Sequence, residues 1–91
     1  MKPSNDEKFE ALAKANPEAL LADGFEDAYL GYLTPALIAI YSREKCVEIL
    51  MTRDGMDEDE AEEFFSFNVE GAYVGPFTPL YLYDRWEGVR E

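Results

Sequence analysis

With 91 residues, 20 acids against 8 bases and no histidine, the chain is long enough for one small domain (residues 1–91) and carries a formal net charge of −12. That charge repels nucleic acid and anionic membranes and favours basic surfaces, while the missing imidazole removes the usual general base, proton shuttle and zinc ligand. A single cysteine, Cys46, excludes an internal disulfide and a multi-cysteine zinc site, so neither an enzyme nor a bound cofactor or metal is expected.

In chain order, Ser4-Asn5-Asp6-Glu7 reads as a capping box, and Phe9, Leu12 and Ala13 recur at helical spacing to about Ala15. Its polar, acidic start is unlike a secretory signal, and no stretch of about 18 apolar residues follows, so a cytoplasmic protein with no membrane span is expected. Pro17 stands at a first helical position, with Leu20 and Leu21 as a short apolar face. Phe25, Ala28, Tyr29 and Tyr32 sit at i, i+3, i+4 and i+7, the stripe of a further short helix that Pro35 ends.

ALIAIY (36–41) is a continuous apolar run of strand length, and Ser42 caps the helix after it. Cys46, Val47, Leu50 and Met51 form that helix's stripe, and Gly55 stops it in a left-handed conformation. Asp57 caps the next helix, to Val69, with Glu60 completing the box and Ala61, Phe64, Phe65 and Asn68 sharing a face. PLYLY (79–83) is the second strand. The expected fold is α+β: helices, then strand-helix-helix-strand, giving a two-stranded antiparallel ribbon packed by helices.

The stretch TRDGMDEDEAEEFF (52–65) admits four readings. As a calcium loop it fails: with Gly55 at the glycine position, Leu50 and Ala61 occupy two ligand positions. As the turn of a DNA-binding helix pair it fails as well, because Asp54 to Asp84 holds nine acids and no lysine or arginine to meet phosphates. The remaining two are a well-capped helix start and a strip of carboxylates imitating a nucleic acid. Asp54, Asp57, Glu58, Asp59, Glu60, Glu62 and Glu63 place seven charges within ten positions. On a rise of about 1.5 Å per residue, that density is of the order of one charge per about 1.7 Å in duplex DNA. Asp23, Glu26, Asp27, Glu44 and Glu48 widen the strip if the fold brings them alongside.

Three other features carry readings of their own. Asn68, on an apolar face, calls for backbone partners such as the Gly71–Gly75 turn, a ligand-binding amide being the minor alternative. Cys46 reads as a small core hydrophobe, with no histidine to activate it. Tyr81 and Tyr83 alternate with leucines, and with Trp86 they offer amphipathic area of the kind that interfaces use, including a homodimer paired through the ribbon.

The segments Cys46–Leu50, Asp54-Gly55-Met56, Glu58–Phe65 and Asn68-Val-x-Gly-Ala-Tyr-x-Gly75, with Asp23-Gly24-Phe25-Glu26-Asp27-Ala28 upstream, resemble a set of small acidic proteins encoded by bacteriophages and bacteria. The similarity spans about two thirds of the chain and implies a phage or bacterial cytoplasmic setting, with no activity attached; Tyr81, Tyr83 and the tail lie outside it. Two functions are therefore expected in order. The first is a non-enzymatic interaction protein whose acidic strip binds a basic host protein, such as a nucleic-acid enzyme, without contacting nucleic acid itself. The alternative is a small structural or regulatory module, homodimeric through the tyrosine strand, with the charge serving solubility.

Overall fold

The computed structural model describes residues 5–84; the expected Ser4 cap and Trp86 lie outside them. Helix α1 (Asn5–Ala15) buries Leu12 and sets the Phe9 ring 4.4 Å from that of Tyr29, centroid to centroid. Pro17 does not restart a helix. Asn16 Oδ1 accepts the Glu18 N–H at 3.1 Å, and its amide donates to Leu37 O at 3.0 Å, holding the segment as a turn that leaves Leu20 and Leu21 exposed.

The stripe from Phe25 to Tyr32 is not one helix. A single 3-10 turn (Glu26–Ala28) runs straight into strand β1 (Tyr29–Leu33). A β-bulge between Tyr29 and Gly31 then sets Tyr29 opposite Tyr41 and Tyr32 opposite Ala39, both on the core side. The three-residue spacing that imitates a helix is the product of that extra residue. Strand β2 (Ile38–Ser42) pairs antiparallel with β1 and begins two residues later than expected. The intervening turn takes up Ala36 and Leu37, with a cis Thr34–Pro35 peptide and the Leu37 N–H donating to Leu33 O at 2.6 Å.

Helix α2 (Arg43–Asp54) starts on two caps: Ser42 Oγ accepts the Lys45 N–H at 3.0 Å, and Asp84 Oδ1 accepts the Glu44 N–H at 3.2 Å. The Ser42 hydroxyl donates to Asp84 Oδ2 at 2.6 Å. Gly55, at φ 74°, ends the helix in the left-handed region as its type predicts. Helix α3 (Glu58–Phe65) opens on the expected reciprocal box: Asp57 Oδ1 accepts the Glu60 N–H at 2.8 Å, and Glu60 Oε1 accepts the Asp57 N–H at 3.1 Å. Asp57→Ala is expected to cost about 1 kcal/mol, seen as a melting temperature lower by about 5 °C, with Asp57→Ser close to the parent.

Beyond Phe65 the helix widens into a π-helical turn (Ser66–Glu70), closed by the Gly71 N–H donating to Ser66 O at 3.0 Å. A Cβ at Gly71 would lie 2.9 Å from that oxygen, so only glycine fits without a shift. Strand β3 (Leu80–Leu82) then adds to β2, and here the expected ribbon is overturned. The sheet has three strands in the order β1-β2-β3, and β3 runs parallel to β2, Ile40 opposite Leu80 and Ser42 opposite Leu82. Residues 43–79 form a crossover long enough to return the chain to the end of β2 at which it started, which a parallel pair requires. The α+β class holds, as three α-helices on a mixed sheet. Ala39, Tyr41, Tyr29, Leu50, Cys46, Ala61 and Phe65 make one core between sheet and helices.

Candidate functional site

The seven carboxylates of the strip run from Asp54, the last residue of α2, through the turn and along the outside of α3, and only Glu62 is half-buried. They do not act alike. Asp54 is paired with Arg53, Oδ2 to Nη2 at 3.1 Å, and the hydrogen bond to that guanidinium holds its carboxyl below the usual range. Arg53 also donates to Gly24 O at 2.7 Å and sits 5.5 Å from the centre of the Phe25 ring. The acidic 23–27 turn is thereby tied to the end of α2, with a cation at the seam. Within that turn, the Gly24 N–H lowers the pKa of Glu26. Elsewhere, Glu48 is paired with Lys45.

Glu62 belongs to the scaffold. Arg43 donates to Glu62 Oε1 at 2.9 Å, to Glu70 Oε1 at 3.2 Å and to Ser66 Oγ at 3.2 Å, with its guanidinium carbon 5.2 Å from the centre of the Phe65 ring. Burial opposes the charge of Arg43, but its bonds to the two glutamates outweigh this and raise its pKa. The group pins the start of α2 to the far end of α3. Asp57 and Glu60 also serve the helix start, though both remain exposed.

What the outer face of α3 presents is a mixed surface. Glu60, Glu63, Phe64 and Phe67 follow the i, i+3, i+4, i+7 rule and line one shallow depression of about 340 Å³ with Met56 and Asn68. Phe67 is 76% exposed and Phe64 40%, whereas Phe65 is wholly buried. The reading that put Phe64 and Asn68 on the core face is therefore corrected: Ala61 and Phe65, one turn apart, take the core side of α3 and leave Phe64 on its flank, and Asn68 lies exposed on the π-helical turn. The Asn68 amide donates to Phe64 O at 3.2 Å, one turn back, rather than to the 71–75 loop. The signal for an aromatic–acidic surface was present in EEFFSF, where three phenylalanines in four positions cannot all face one core.

The two tyrosines of the last strand segment face different ways. Tyr81 faces inward, its ring 5.0 Å from Phe65 and 5.9 Å from Tyr41, and burial pushes its pKa up to about 12. Tyr83, just past β3, is exposed beside Arg43, Glu62 and Glu70. Cys46 is fully buried, and burial raises its thiol to about 12, consistent with a core side chain. Among the described residues no three carboxylates or thiols converge as metal ligands, and no helix is long and apolar enough to cross a membrane. Comparison with protein-family models, curated proteins and solved structures returned no match.

Proposed function

We propose that the protein is a non-enzymatic interaction protein that binds a basic surface of a host protein through the outer face of α3. On the resemblance noted above, its setting is the cytoplasm of a bacterium or a phage-infected cell. The observation that carries the reading is the single depression formed by Glu60, Glu63, Phe64 and Phe67, with Asp59 exposed on the same helix. Carboxylates alone would serve solubility. Two exposed phenylalanines between them cost solubility, and they gain a role only when a partner covers them.

The combination narrows the kind of nucleic acid imitated. A duplex offers a grooved cylinder of phosphates, but a single strand offers phosphates and stacking faces together. Proteins that hold single strands combine a basic groove with flat apolar platforms. The α3 face carries the complementary features, negative charge and aromatic rings, so a single-strand-binding host protein is the favoured target class.

The test uses Asp59→Lys with Glu63→Lys, which leaves the capping box and the Arg43–Glu62 pair untouched. Capture from a bacterial lysate is expected to retain a basic nucleic-acid-binding protein at about 50 mM salt and release it at about 500 mM. The double variant should melt as the parent does and retain none of it, while Phe67→Ala should weaken capture without changing its salt dependence. A partner held equally by the double variant, or indifferent to salt, would remove the acidic face from consideration.

A further inference from the structure

We propose that the cleft beside α3 is a socket for one large apolar side chain, carried on an arginine-containing segment of the basic partner. The inference rests on the acidic-face reading for the partner's charge, and it names the chemistry by which that partner is held. The cleft, of about 240 Å³, opens between the 21–25 turn, the π-helical turn and the loop that leads to β3. Leu21, Ala22, Phe25, Val69, Pro79 and Tyr81 give it apolar walls. Hydrogen bonds within the chain hold those walls in place. The Ala22 N–H donates to the hydroxyl of the buried Tyr41 at 2.9 Å. Thr78 Oγ accepts the Val74 N–H at 2.9 Å and donates to Gly75 O at 2.7 Å. A hollow formed in advance spares the complex part of the ordering cost of binding. It is smaller than the roughly 300–1,000 Å³ of small-molecule sites, so it suits one side chain.

Position and charge select the occupant. Asn68 lines both this cleft and the α3 depression, so the two hollows adjoin and one bound segment can enter both. Among the described residues that line them, every charged side chain is a carboxylate: Asp23 in the cleft, Glu60 and Glu63 in the depression. A neutral or acidic segment would take water from these groups and return no counter-charge. Arginine answers both features of the depression, since its guanidinium pairs with a carboxylate and lies flat on a ring such as that of Phe67. The chain makes this arrangement twice within itself. Arg43 lies over Phe65 and is paired with Glu62, and Arg53 lies over Phe25 and is paired with Asp54. An aromatic residue beside the partner's arginine then enters the cleft. Proteins that hold single strands carry such rings to stack bases.

The test titrates the isotope-labelled protein with acetyl-Arg-Trp-Arg-amide and follows its amide resonances. Saturable shifts are expected at Asp23, Asn68 and Ala72 as well as at Glu63 and Phe67, with a Kd of the order of 1 mM at about 50 mM salt. Acetyl-Arg-Ala-Arg-amide should bind at least about tenfold more weakly, by a ratio that salt leaves unchanged because apolar burial is not screened. Acetyl-Glu-Trp-Glu-amide should not bind. Ala72→Phe, at an exposed position lining the cleft, should fill it and make the tryptophan and alanine peptides equal, with the melting temperature of the parent. No shift up to about 10 mM peptide, shifts confined to α3, or equal binding of the two peptides by the parent would overturn the socket. Tryptophan-peptide binding that survives Ala72→Phe, or that the glutamate peptide matches, would overturn it too. The acidic-face reading is judged separately, by lysate capture with Asp59→Lys and Glu63→Lys; if that fails while the tryptophan peptide still seats in the cleft, the socket stands alone.

Discussion

Phe65→Ala should lower the melting temperature by about 20 °C, which leaves little of the folded state under ordinary growth conditions. The ring is wholly buried and meets Tyr81 edge-on at 5.0 Å and 88°, and Phe25 at 6.3 Å and 84°. The Arg43 guanidinium lies over it at 5.2 Å. Truncation would open a cavity between α3, the 3-10 turn and β3, and would strip the apolar support beneath the Arg43 cluster. Removing a buried phenylalanine costs about 3–5 kcal/mol, a large part of the roughly 5–10 kcal/mol expected for a domain of this size. Phe64→Ala, one residue earlier, should cost under about 1 kcal/mol because that ring is already partly in water. Thermal or urea unfolding of the two variants side by side decides it: equal losses would mean that the core is not centred on Phe65.

Alkali should unfold the protein between pH 9 and 12, well before the buried groups titrate in the native state. Burial raises Cys46, Tyr41 and Tyr81 each to about 12, from ordinary values of 9.0, 10.0 and 10.0. The unfolded chain therefore loses these protons first, and the native chain binds more protons throughout that window. Stability is complete below about pH 9 and falls with a slope of about 1.4 kcal/mol per pH unit for each group that titrates only on unfolding. Tyrosinate absorbance and far-ultraviolet circular dichroism should change together in one transition. Tyr81→Phe, which keeps the ring, should move the midpoint upward. Tyrosinate appearing near pH 10 for all six tyrosines, with the fold intact, would contradict the burial of Tyr41 and Tyr81.

The parts of the fold that were legible in the residues are those decided by near neighbours. Ser42, Gly55, Asp57 and Glu60 each act within three or four positions, and each performs the role that its type and spacing imply. Strand β1 was hidden because its bulge gives Tyr29 and Tyr32 a helix-like spacing on one face. The direction of β3 was hidden because nothing within PLYLY distinguishes a parallel from an antiparallel partner; the path of residues 43–79 decides it. At the candidate site the carboxylates were plain, but their division of labour was not. Glu62 belongs to Arg43, nineteen positions earlier, and the spacing of Ala61, Phe64 and Phe65 does not say which of the two phenylalanines the core takes.

The Asp84 cap has a further consequence, for the order in which the chain assembles. The carboxylate that completes the start of α2 lies 42 positions after Ser42, and the third strand lies just before it. During synthesis, β1, β2, α1 and α2 leave the ribosome long before either arrives. Until then the β2 edge is unpaired, and the first turn of α2 lacks one of its acceptors. An interval of several seconds separates these events at about 5–20 residues per second, in which the hairpin must persist beside an open apolar edge. The eight acids from Asp54 to Glu70 are added during that interval, and like-charge repulsion between them opposes contact between nascent chains on the same message.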